Sequence, residues 1–157
     1  MLIINPNFSY WLSQLQIASK VYNYQLSAAT EFYLLNVLLN SISAANLAKT
    51  NQIYTFVSRT CLDHKLSADQ CLIIAGMFPE YGLHLGAGSL TPIIWVGQNS
   101  YHALAKSQNV YCELADDFLQ NLDLLLYIRF LLTQEIGSDQ LLQQLHKTGL
   151  KYPSLRL

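Results

Sequence analysis

Glu80, Tyr81 and His84 fall close together in the stretch FPEYGLHLG. A carboxylate beside an imidazole suggests general acid–base chemistry, because histidine titrates near neutrality and a carboxylate orients its ring. No serine or cysteine stands at a spacing that identifies a nucleophile, so no catalytic residue is assigned. Ordinary hydrogen bonding within a joint accounts for the same residues. Arg129 and Glu31 are more pointed. Each is a charge set among apolar residues, in LDLLLYIRFLLTQ and ATEFYLLNVLL. A charge in such surroundings must pair or snorkel to water. Three fates are open to Arg129: a surface contact, an ion pair with Glu31, or a clamp for an anionic ligand. The guanidinium fork suits the last because it matches carboxylate and phosphate geometry.

Residues 75–98, AGMFPEYGLHLGAGSLTPIIWVGQ, hold five of the seven glycines. GAGSLT has a Gly-x-Gly spacing, but Thr91 stands where the dinucleotide fingerprint needs its third glycine. A phosphate loop is excluded by the absence of Gly-Lys-Ser/Thr. What survives is a helix start at Thr91 and Pro92, whose amides could hold an anion. The candidate ligand residues are therefore Arg129, His84, Glu80 and Thr91, around a pocket rimmed by 80–91. The competing account is a joint built for shape. Gly82, Gly86 and Gly88 would turn the chain at positive φ, and Leu83, Leu85 and Leu90 would pack it down.

Metal ligation has little support. Helical di-metal sites use Glu-x-x-His, whereas Glu113 is followed three residues on by Asp116, and Glu31 by Leu34. A set of Glu31, Glu113, Asp117 and His102 would have to be assumed from packing. Glu113, Asp116, Asp117, Gln120 and Asp123 read instead as a solvated helix face. Cys61, Cys71 and Cys112 are odd in number and show no Cys-x-x-Cys spacing. They read as reduced, mostly buried thiols of a cytoplasmic protein. No metal or cofactor is expected.

The charged fraction is 12%, against about 25% in an ordinary soluble domain, and the net charge is −1. Scattered Lys and Arg argue against nucleic acid, which calls for a clustered positive footprint. The start MLIINPNFSYW has no basic region before its short apolar run and does not read as a secretory signal. The apolar run Leu124–Ile128 is far too short to span a membrane. Low charge on an apolar chain points to a protein partner, with a second copy of the chain the leading choice. Tyr10, Trp11, Tyr22 and Tyr33 are the interface candidates, since aromatic rings with polar edges suit interfaces.

Helices must position these groups. Helical spacing runs from about Asn7 to Tyr24, with Asn7 or Ser9 as cap. Ser27 caps the next helix, with a stripe of Phe32, Leu35, Leu38, Leu39 and Ile42 opposite Asn36, Asn40 and Ser43. A weaker helix spans Asn51 to Leu62. Ser67 and Gln70 resemble a capping box for a helix that must stop before Pro79. Thr91 and Pro92 start another, whose Gly97, Ser100 and Ser107 would allow close helix approach. A long helix runs from near Val110 to Glu135 and ends at Gly137, and a short one covers Asp139–Lys147.

These elements predict a single all-α domain over 1–157, a compact bundle of about six or seven helices. The function that fits is a non-enzymatic protein-interaction or regulatory domain that self-associates. A small-molecule binder or helical enzyme, with its pocket at 80–91, is the alternative.

Overall fold

The computed structural model describes residues 6–41 and 64–133. It is a compact all-α bundle. Its helices are α1 (Pro6–Tyr22), α2 (Ala28–Ser41), α3 (His64–Met77), α4 (Pro79–Leu85), α5 (Thr91–Leu104), α6 (Asn109–Asp116) and α7 (Phe118–Thr133). These seven are the secondary structure of the described residues, which contain no strand. The expected helix at 51–62, the helix at 139–147, the stop at Gly137 and Cys61 lie outside them.

α3 and α7 form the centre. Every residue from Cys71 to Met77 is buried, as is every residue from Asn121 to Leu126. A helix enclosed on all sides reads apolar on all sides, as CLIIAGM and LLL do. Gly76 sets their spacing: a Cβ there would lie 2.6 Å from the Leu125 Cβ. Gly97 does the same for α5. A Cβ at that position would overlap the Phe118 ring and lie 3.1 Å from the Cys71 Cβ. Gly97 thus permits close approach as expected and Ser100 is buried, but Ser107 lies beyond the end of α5 and is exposed.

Joints follow local chemistry. Asn23 takes φ 55° after α1, with Asn23 N–H bonded to Lys20 C=O and Tyr24 N–H to Ser19 C=O. This Schellman pair satisfies carbonyls that the helix end leaves open. Ser27 caps α2 as expected, its Oγ accepting from the Thr30 amide at 3.1 Å.

Several expectations change. Asn7 and Ser9 lie inside α1, and Ser67 lies inside α3, so none of them caps. The buried Ser67 Oγ finds no partner. Phe32 points outward at 60% exposure, while Leu34, Leu35, Val37 and Leu38 face the core. The segment after Pro79 is helix, with proline in its first turn, where its missing N–H is not needed. Gly82 is thus helical and buried under Leu90. Among the glycines of the joint, Gly88 alone takes positive φ, at 93°, and Ala87 takes 53°. Thr91 is the first residue of α5 and not its cap; its amide donates to Ser89 Oγ at 3.2 Å. The long helix expected from Val110 is two, α6 and α7, broken at Asp117.

Candidate functional site

The joint between α4 and α5 carries the most distinctive surface. Pro79, Gly82 and Leu85 turn inward at helical spacing, which leaves Glu80 and His84 exposed one turn apart on the other side. Arg129, on α7, forms an ion pair with Glu80. Of the fates open to Arg129, the structure shows a contact with the exposed carboxylate of Glu80 and no pair with Glu31. Ala87 in the left-handed region and a Gly88 N–H to Leu83 C=O bond of 2.8 Å close α4 and turn the chain into α5.

An open groove of about 270 Å³ lies between these helices. Its walls are Cys71, Leu85, Gly86, Ala87, Pro92, Ile93 and Val96. The lining is apolar apart from backbone and one thiol. Of the four ligand candidates, Glu80 and Arg129 meet each other, while His84 and Thr91 stand exposed. None of the four belongs to the groove wall. Trp95 projects from the flank of α5 beside it and is 64% exposed.

A second centre was not foreseen. Asp69 of α3 accepts from the Tyr33 hydroxyl at 2.6 Å and from the Tyr101 hydroxyl at 2.8 Å, both on Oδ1. Lys65 pairs with its other oxygen at 2.9 Å and sits 5.4 Å above the Tyr33 ring. The Tyr111 ring meets Tyr33 edge-on at 5.8 Å and stacks with Tyr101 at 6.2 Å. Four helices, α2, α3, α5 and α6, are tied here. Burial, followed by the Asp69 charge, holds both the Tyr33 and the Tyr101 phenol well above the usual range. Both therefore remain donors, and phenolate chemistry is not on offer. The signal was invisible along the chain because the bonded pairs are 36 and 32 residues apart.

The acidic run on α6 and α7 is also not a plain solvated face. Glu113 Oε2 accepts from Ser27 Oγ at 2.6 Å and Thr30 Oγ1 at 2.8 Å, which joins the start of α2 to α6. These bonds, Ser27 first, pull the Glu113 carboxyl below the ordinary range. Asp123 is buried and accepts from the Tyr24 hydroxyl at 2.9 Å. Burial and then that bond push the Tyr24 phenol up to about 12. Cys112 is exposed, against the expectation of burial. The Asp116 carboxylate beside it raises its pKa, so the thiol is the less reactive protonated form. Among the described residues, no group of three or more His, Cys, Asp or Glu gathers as a metal-ligand set.

The four interface candidates divide. Tyr10 is 45% exposed and meets Trp11 edge-on at 5.3 Å, and Trp11 packs partly against the core. Tyr22 stacks on Tyr24 at 5.4 Å and meets Tyr127 edge-on, so much of its ring serves the fold. Tyr33 belongs to the Asp69 centre. No described helix is long and apolar enough to cross a membrane.

No protein-family model, curated protein or solved structure matches this chain.

Proposed function

We propose that the chain is a non-enzymatic interaction domain whose first partner is a second copy of itself. The observation that carries this reading is a set of large apolar side chains exposed on helices almost without charge. Tyr10, Ile17 and Val21 are exposed along one line of α1, at intervals of seven and four residues. Lys20 is the one charged residue of that helix. α5 has no Asp, Glu, Lys or Arg, yet exposes Trp95. Such apolar surfaces mark contact sites on soluble proteins. With few charges present, like copies meet without repulsion, and a symmetric pairing sets each patch against its own copy.

The small-molecule reading draws less support. Arg129 is engaged by Glu80, and the groove lacks the few convergent polar groups that orient a ligand. A cytoplasmic setting belongs to the same proposal. Cys71 and Cys112 are in no disulfide, and an exposed thiol suits a reducing compartment. Light scattering over a concentration series tests the proposal. A mass rising toward that of a dimer supports it, and a monomer throughout overturns it.

A further inference from the structure

We propose that α4 is a hinged lid over the Cys71 side of the groove, and that the Glu80–Arg129 ion pair is the clasp that fastens it to α7. This does not rest on self-association. The sequence puts a hinge at each end of α4. Before it, Phe78 leaves the helical region at φ −133° and ψ 56°, as a residue preceding proline is driven to do. Pro79 then has no amide with which to continue the ladder of α3. After α4, Ala87 and Gly88 both take positive φ. One or two residues at each end can therefore absorb the change in φ and ψ that a lid movement needs.

Between the hinges the anchoring is light. A helix of seven residues has little stability of its own in water. Its buried residues are Pro79, Gly82 and Leu85, and of these Leu85 alone brings a large side chain inward. Tyr81 and Leu83 are half-buried. Gly82 lets α4 lie close on Leu90 and on Ile74 of α3: a Cβ there would come within 2.6 Å and 3.3 Å of their side chains. Toward α5 this packing gives way to the groove. Leu85, Gly86 and Ala87 at the end of α4 share its wall with Pro92, Ile93 and Val96 of α5 and with the buried Cys71 of α3. Arg129 reaches Glu80 from α7, so the pair joins the lid to the centre of the bundle. Glu80 is half in water, which makes the clasp weak and sensitive to salt. Swinging α4 outward breaks that pair, withdraws Leu85 and bares the Cys71 thiol. Elements of this kind open locally while the core stays folded.

Hydrogen exchange and thiol labelling of the full chain, at low micromolar concentration, test this together. The amides of 82–86 exchange faster than those of 71–77 and 121–126. Alkylation of Cys71 by a small thiol reagent, read by peptide mass, follows the same opening; the exposed Cys112 checks the reagent in every sample. Glu80→Gln raises the α4 exchange rate and the Cys71 labelling rate about two- to fivefold, the equivalent of an exposed ion pair, and leaves the central amides of α3 and α7 unchanged. Salt at about 1 M does the same to the parent and adds nothing to Glu80→Gln. Arg129→Gln matches Glu80→Gln, and the double variant goes no further. Circular dichroism melting confirms that the variants fold. Amides of 82–86 that exchange only as slowly as those of 71–77 overturn the lid. So does Cys71 labelling that neither salt nor Glu80→Gln moves. A Glu80→Gln effect that persists undiminished in Arg129→Gln belongs to the helix end and overturns the clasp.

Discussion

Tyr101 and Trp95 stand six residues apart on α5, and the two regions around them are built on opposite terms. Tyr101 is fully buried, its ring stacked and its hydroxyl given to Asp69. Trp95 is mostly in water beside an apolar groove. The first region spends its polar groups on fixing four helices. The second keeps apolar surface that no described neighbour covers fully. One helix therefore separates what holds the fold from what is offered outward.

The largest expected effect comes from breaking the first region. Asp69→Ala leaves two tyrosine hydroxyls, one of them fully buried, without their acceptor. Each orphaned buried group costs about 1–3 kcal/mol, so urea unfolding should show a loss of about 2–4 kcal/mol. Asp69→Asn retains an acceptor oxygen and loses less. Trp95→Ala should stay within about 0.5 kcal/mol of the parent, as surface substitutions do. Equal losses at Asp69 and Trp95 would break the division.

Next comes the contact that mounts α5 on the core. Gly97→Ala drives a methyl into Phe118 and toward Cys71. Overpacking of this kind costs about 1–3 kcal/mol. A variant that unfolds at the parent's urea midpoint would show that α5 is less tightly seated than this packing requires.

Polarity is not what stabilises the interior; satisfied polarity is. Asn121 is fully buried and neither end of its amide finds a hydrogen bond. Replacement by Leu, of similar size, should raise stability by about 1–2 kcal/mol, since it removes unpaired buried groups and adds apolar burial. Thermal unfolding that falls instead of rising would count against this account and sharpen the contrast with Asp69.

The helical class and several joints were legible because they depend on neighbours in sequence. Ser27 caps through a residue three positions on, and Pro79 stops α3 by local sterics. What was not legible depends on distant residues. Asp69 gains its role only when Tyr33 and Tyr101 arrive from other helices. Phe32 fits the apolar period of α2, yet packing turns Leu34 and Val37 inward in its place. The glycine segment misled differently. Its composition suggested a turning loop, but Gly82 serves close packing inside α4, and the left-handed residue beside Gly88 is Ala87.

That last point gives a smaller test at the groove mouth. Ala87 holds φ 53°, a region where a Cβ is disfavoured. Ala87→Gly should relieve this and raise stability by about 0.5–1 kcal/mol in urea unfolding. A fall in the urea midpoint would show that the turn at Ala87 carries no such strain.

The smallest effect concerns acid. Glu113 is held below its ordinary pKa of 4.5 by the Ser27 and Thr30 hydroxyls. The unfolded chain therefore binds its proton first as the pH falls. Glu113 contributes stability that is complete above about pH 4.5 and is lost as pH drops through the lower, folded value. Water screens this site, so the term amounts to a few tenths of a kcal/mol. Asp117 works the other way. Burial, then Asp116 and Glu113, raise its pKa, so its ionisation costs stability as pH rises out of the acid range. Glu113→Gln should flatten the acid side of the stability profile, whereas Asp117→Asn should make the parent's loss in acid steeper. Opposite signs from two carboxyls four residues apart would separate a hydroxyl-bonded group from one raised by burial and neighbouring like charge. Matching slopes would show that the link between α2 and α6 does not reach Glu113 in solution.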